Sequence, residues 1–210
     1  MIMKQDYGMT HVVHIRNHSI YLDDECVFSD ESGSDDFLIN AYKQSGANYP
    51  KFYKMDTLSK YGFIAAEWLM KGKKSDELSS FRKGIILQNH SSSLDTDRKY
   101  QESIADIASP ALFVYTLPNI VMGEIAIRHL LKGENTFFVA DRFNAKELSS
   151  YLQILTSEEI LSQVITGYIE LNAGNPDIFF CLIEKDGDIP FDAESLQELY
   201  TKHPLVEVVV

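Results

Sequence analysis

The stretch from Ser109 to Ala145 constrains the fold more than any other part of the chain. Pro118 suits the first turn of a helix, where its missing N–H costs nothing. Ile120, Val121, Ile125, Ile127 and Leu131 then recur at spacings that suit a helix packed on a sheet. Leu130-Leu131-Lys132-Gly133 carries the cation and the glycine of a helix C-terminus. Thr136-Phe137-Phe138-Val139-Ala140 is a continuous apolar run of strand length, the pattern of a strand covered on both faces. Asp141-Arg142-Phe143-Asn144 turns the chain sharply into another helix beginning near Ala145.

The flanking sequence repeats this alternation. Thr10–Arg16 reads as a first strand, and residues 17–50 as a polar excursion with one short helix near Phe37–Tyr42. Met55–Met70 is the clearest long helix, with Leu58, Tyr61, Ile64, Ala65, Trp68 and Leu69 on its apolar face. Lys83–Gln88 reads as a buried strand, Asn89–Ser93 as a loop, and Asp97–Ala108 as a helix ended by Ser109-Pro110. Beyond the turn, Lys146–Leu155 continues a helix, and Thr156 with Glu158 and Glu159 looks like the start of the next. Val164–Glu170 and Ile178–Glu184 read as core strands joined by the turn cluster 172–177. Asp186-Gly187-Asp188 reads as a turn, Ala193–Thr201 as a helix, and the tail Pro204–Val210 as an edge strand. The expected fold is α/β: a mixed, mostly parallel five-stranded sheet with helices on both faces.

Composition narrows the function classes. The 210 residues are 45% hydrophobic, enough for one domain with a sizeable core. A formal net charge of −12 argues against nucleic acid as a partner. No apolar run reaches transmembrane length, so no membrane association is expected. The N-terminus lacks the apolar region of a signal peptide, and a cytoplasmic location is the expectation. Cys26 and Cys181 lie too far apart and in contexts too unlike for a disulfide framework or a zinc site. No phosphate-binding glycine loop, nucleophile elbow or metalloprotease helix is present, and no cofactor or metal is expected. The charge is uneven. Acids concentrate between Asp23 and Asp36, and Lys51, Lys54, Lys60, Lys71, Lys73, Lys74, Arg82 and Lys83 make the next stretch basic. That stretch is either a solvated face or a docking patch for an acidic partner.

The segment from Pro118-Asn119 through Gly123, Ile127 and Gly133-Glu134-Asn135 to the apolar strand and its elbow resembles the N-terminal half of the β-ketoacyl-(acyl carrier protein) synthases, of the thiolase-like superfamily. Ala65-Ala66 and Gly167-x-x-Glu170 resemble that family's pattern in the same order. The resemblance covers about residues 10–185 and leaves 186–210 as an extension of one ketosynthase N-terminal-like domain spanning residues 1–210.

The resemblance implies an elbow carrying a nucleophilic cysteine, and in this chain the position falls on Phe143. It also implies two histidines supplied by a second half that makes the family's chains roughly twice as long. Only His203 follows the elbow, with no family motif around it, and His11, His14, His18, His90 and His129 do not match the family's positions. No catalytic residue is therefore assigned. The resemblance implies a non-catalytic partner or scaffold subunit in acyl carrier protein-dependent fatty-acid or polyketide-type biosynthesis. The alternatives are a synthase or acyltransferase subunit completed by another chain, and an acyl or small-molecule binding protein. It further implies a homodimer, or a heterodimer with a ketosynthase subunit, paired through Thr136, Phe137, Phe138, Val139 and Ala140, with an acyl carrier protein as a further partner. An uncharged edge strand without lysine, proline or bulge is an independent reason to expect such pairing.

Overall fold

The computed structural model describes residues 7–73, 79–185 and 187–205. The strands are β1 (Tyr7–Arg16), β2 (Ser19–Leu22), β3 (Glu25–Ser29), β4 (Lys83–Asn89), β5 (Asn135–Val139), β6 (Gln163–Asn172), β7 (Asn175–Lys185) and β8 (Ile189–Pro190). The helices are α1 (Ser34–Ser45), α2 (Thr57–Leu69), α3 (Leu94–Ser103), α4 (Pro110–Val114), α5 (Ile120–His129), α6 (Ala145–Ser157) and α7 (Ala193–Thr201). One mixed sheet runs β3-β2-β1-β7-β6-β4-β5, with β8 added to β1.

The expected α/β class and its mixed sheet are present. β4 is parallel to β5 and β6, while β7 is antiparallel to both β6 and β1. Four of the five core strands therefore share one direction. The sheet has eight strands rather than five. The extra strands β2 and β3 occupy the stretch expected to be an irregular excursion. Two tight hairpins put them there. Asn17-His18 joins β1 to β2, and Asp23-Asp24 joins β2 to β3, each pair with both residues at positive φ. That is the backbone of the favoured two-residue hairpin turn, written without its usual glycine.

Several boundaries also differ from expectation. α3 starts earlier, at Leu94, and Ser109 caps α4 by accepting from Leu112 N–H instead of ending a helix. α5 stops at Leu130, which takes the left-handed conformation (φ 57°), so the turn comes before Gly133. Thr156 starts no helix. It lies inside α6, and its hydroxyl donates to the Leu152 carbonyl one turn back. The tail expected to be an edge strand lies mostly outside the described residues, and Pro204 and Leu205 are not in a strand. Asp186 of the expected turn is likewise outside them.

Strand alternation builds two cores. Ile85, Leu87, Ile165 and Ile169 face α1, α2 and α5, joining Phe37, Tyr61, Ile64 and Ile125. Ile86, Val164, Tyr168, Phe179 and Cys181 face α6 and α7, joining Leu148, Leu152, Leu196 and Leu199. Burial on both faces is why β4, β6 and β7 read as continuous apolar runs. β5 is different. It pairs with β4 alone and ends the sheet, and its central residues are half-buried rather than covered.

α7 is held to the sheet by two basic residues of β1. The Arg16 guanidinium pairs with Asp177 at 2.7 Å and donates to the carbonyls of Tyr200, Lys202 and His203 at the end of α7. His14 donates Nε2–H to the Leu199 carbonyl at 2.9 Å, so its buried ring is the neutral tautomer with the proton on that nitrogen. Burial, with Arg16 close by, lowers the His14 pKa to about 3. The unfolded chain therefore binds a proton between about pH 6.5 and pH 3 that the folded chain refuses. The resulting stability is complete above pH 6.5 and is lost as pH falls through that window. Denaturant titrations at pH 7 and pH 5 should differ by about 2 kcal/mol through this group. His14→Gln keeps a donor for Leu199 but does not titrate, so it should lose that much less on acidification. Equal pH slopes in both proteins would contradict the assignment.

Candidate functional site at the elbow

The elbow lies at the C-terminal ends of the parallel strands, where open α/β sheets place their ligand crevices. Gln88, the penultimate residue of β4, is fully buried and fixes the turn. Its carbonyl oxygen accepts Asn144 N–H at 3.0 Å, and its amide donates to Glu147 at 2.9 Å. Asn144 caps α6 by accepting Glu147 N–H at 3.1 Å. The chain therefore enters α6 as expected, with Phe143 immediately before the cap.

Phe143 is only 6% exposed. Its ring lies 4.3 Å from Tyr200 of α7 and meets Phe179 and Tyr168 edge-on at 5.5 and 5.9 Å. Tyr200 in turn donates its hydroxyl to Asp177 at 2.6 Å and lies under the Arg16 guanidinium. Burial, together with the Asp177 carboxylate, pushes the Tyr200 phenol well above its ordinary range. Burial and the charges of Glu170 and Asp177 do the same to Tyr168. Both hydroxyls stay protonated, and the four rings form an aromatic plug beneath the elbow.

Above the plug opens a cleft of about 1240 Å³. Asp141, Arg142, Lys146, Glu147, Glu170 and Glu194 bring charges of both signs to its wall, beside His90 and Ser91. Glu170 is buried and accepts the amides of His90 and Ser91 at 2.8 and 2.9 Å, tying the loop after β4 to β6. This is what Gly167-x-x-Glu170 accomplishes. Gly167 (φ 147°) lies so close to β7 that a Cβ would fall 1.9 Å from the Phe179 carbonyl oxygen. The backbone of the loop serines helps to hold the turn. Asn89 exchanges hydrogen bonds with Ser92, and Ser93 donates to the Thr116 carbonyl.

Cys181 is fully buried in the second core, where burial pushes its thiol pKa up, and it does not line the cleft. His129 pairs with Glu67 on the far side of the sheet, a structural contact. No group of three or more metal-ligating side chains occurs among the described residues, and no described helix is long and apolar enough to cross a membrane. Of the strand residues singled out from the sequence, Thr136 to Val139 lie in β5, and Ala140 falls just past its end, still donating to Asn89 O at 2.9 Å. The aromatic partners of Phe143 and the part played by α7 were not anticipated from sequence. Tyr200 falls in the segment read as a mere extension, and only the fold brings it to the elbow.

No protein-family model matches the chain, and no curated protein is similar to it in sequence. Solved structures share its fold. The ishigamide ketosynthase/chain length factor is 15% identical with a TM-score of 0.59, the match covering 86% of this chain and 62% of that one. The ketosynthase ApeO in complex with its chain length factor ApeC, from Xenorhabdus doucetiae, is 12% identical with a TM-score of 0.57, covering 93% of this chain and 90% of that one. A type II polyketide acyl-carrier protein in complex with its ketosynthase, AntDE:AntF, is 14% identical with a TM-score of 0.60, covering 88% of this chain and 64% of that one. The chain thus has the thiolase-like, ketosynthase-like fold. It spans less than two thirds of the matched chain in the first and third of these structures, and nearly all of it in the second.

Proposed function

We propose that this chain is a non-catalytic, ketosynthase-like partner subunit in acyl carrier protein-dependent, polyketide- or fatty-acid-type biosynthesis. The observation that carries the reading is Phe143. The residue that the sequence resemblance sets at the nucleophile position is an aromatic ring packed against three others, which supports an elbow that serves as scaffold without the family's chemistry. Condensation in the family needs a thiolate at a helix N-terminus, and the chain's buried cysteine is in the core instead. Similarity to structures named as ketosynthase and chain length factor complexes supports pairing with a ketosynthase subunit. The similarity to a complex that includes an acyl-carrier protein supports such a protein as a further partner. The basic stretch proposed for docking divides in space. Lys51 closes on the buried Glu124 at 2.8 Å, and Lys73 pairs with Glu184.

The size of the elbow cleft favours a second reading, a small-molecule or acyl binding protein. One assay separates these from an enzyme. The purified chain, given acyl- and malonyl-loaded carrier protein, should form no condensation product above a boiled control, and Phe143→Cys should form none either. Co-expression with a ketosynthase subunit should yield a stable complex that does. Turnover by the chain alone would overturn the proposal, and saturable acyl binding without complex formation would favour the second reading.

A further inference from the structure

Between β4 and α5 the chain makes a helical hairpin of α3 and α4 that gives little to the core. From Leu94 to Leu117 only Thr96 and Tyr115 are buried. Polar bonds tie it to the body. Ser93 donates to the Thr116 carbonyl at 2.7 Å, the Thr96 hydroxyl donates to Asp56 at 2.6 Å, and the Tyr115 hydroxyl donates to Glu124 at 3.1 Å. Within the hairpin the Tyr100 and Phe113 rings meet at 5.5 Å. Helices of ten and five residues are too short to hold themselves, and such helices depend on burying an apolar face. Here most of the apolar side chains lie on the surface instead. Ile104, Ile107, Phe113, Val114 and Leu117 are all exposed, Ile107 by 78%.

The hairpin is rooted beside the open edge of the sheet. It springs from the loop after β4, which is tied to the end of β5. The Asn89 carbonyl accepts Ala140 N–H at 2.9 Å, and His90 Nδ1–H donates to the Ala140 carbonyl at 3.3 Å. Val139, the last residue of β5, is exposed as well. Beyond the hairpin, α5 carries Gly123 on its exposed side, followed by exposed Ile127 and Leu130 near its end. A glycine inside a helix is costly. At Gly123 an added Cβ would meet nothing within 4 Å among the described residues, so no described part of this chain requires a glycine there.

Size, symmetry and charge point to a second copy of this chain as the occupant. A stable pair buries about 800 Å² on each partner, more than a five-residue edge strand supplies, and the hairpin beside that strand adds apolar area. The edge is also self-complementary. Residues bonded to β4 alternate with Asn135, Phe137 and Val139, which face outward, so an antiparallel copy centred on Phe137 meets it group for group. Closed two-fold pairing of this kind is the commonest assembly. The hairpin carries Arg98 and Lys99 against Asp95, Asp97, Glu102 and Asp106, so each copy offers both signs of charge to the other. We infer that the α3–α4 hairpin is a dimerisation arm that lies against a second copy of this chain across the β5 edge. The inference goes beyond the partner-subunit reading and stands without it.

Sedimentation of the full chain across the micromolar range gives its dimer constant, and hydrogen exchange is compared between dilute and concentrated samples. Concentration-dependent dimers are expected, with slower exchange of the amides from Leu94 to Leu117 in the concentrated sample. Ile107→Asp and Leu117→Asp, both at exposed positions, should each weaken the dimer at least tenfold while the dilute protein melts as the wild type does. Gly123→Ala, which suits a free helix better, should raise the melting temperature of the dilute chain and still weaken the dimer. A wild type that stays monomeric overturns the second copy as occupant. A dimer undiminished in both aspartate variants, or one whose hairpin amides exchange as fast as in the dilute chain, overturns the arm. None of these results bears on the condensation assay, so the partner-subunit reading stands or falls separately.

Discussion

Replacing Phe143 by alanine is expected to destabilise the chain by about 3–5 kcal/mol, the cost of deleting a buried aromatic ring and leaving a cavity. The ring contacts Tyr168, Phe179 and Tyr200, and such pairs add to simple burial. The loss should also propagate. Tyr200 rests on Phe143 and belongs to α7, whose end is held by Arg16 and His14. Removing the ring takes away the apolar half of that docking and leaves the polar half. In a chain of this length the melting temperature should fall by roughly 10 °C. Phe143→Leu refills much of the space and should cost well under half as much. If Phe143→Ala melts with the wild type, the ring is not packed as described, and the proposal that it has closed off the family's reactive position fails with it.

The legible part of the fold is the part whose sequence signals were local. The helix of Thr57–Leu69 has its apolar spacing, and its cap Asp56 accepts Ser59 N–H at 3.0 Å. The strands β4, β6 and β7 carry apolar residues on both faces because both faces are covered. What stayed hidden depended on partners distant in sequence or on turns without their usual residues. Asp23-Asp24 in a hairpin turn reads as solvated charge, yet Asp23 accepts Val12 N–H at 2.8 Å, a cross-strand bond that no local pattern reveals. Thr156 followed by two glutamates reads as a helix start, but its hydroxyl finds a carbonyl within the helix already under way. At the elbow, the position of Phe143 before the helix was legible from motif order. Its surroundings were not, because Tyr200 reaches it from far along the chain.

Val139→Pro is expected to convert a dimer paired through β5 into monomers while leaving the fold intact. The hydrogen-bond phase along β5 decides this. Ile85 N–H donates to Glu134 O, and Ala140 N–H donates to Asn89 O, so even-numbered residues bond to β4. In a parallel ladder alternate residues face alternate sides, which turns the N–H and C=O of Asn135, Phe137 and Val139 toward the open edge. Val139 is 57% exposed, and a proline there removes one outward donor without touching the β4 ladder. Phe138→Lys is a poorer probe, because the Phe138 ring packs edge-on against Tyr151 at 5.4 Å and a lysine would disturb that contact. More apolar surface lies on the adjoining helices, where Ile127 and Leu130 near the end of α5 and Ile154 of α6 are exposed. The chain's own C-terminal helix does not close the edge, since α7 is bound to β1 and α6 on one face of the sheet. Sedimentation at micromolar concentration, alone and with a ketosynthase subunit, should show dimers for the wild type and monomers for the variant, with melting temperatures of the separated chains unchanged. A wild type that sediments as a monomer in both mixtures, or a Val139→Pro chain that still pairs, would remove β5 as the seam.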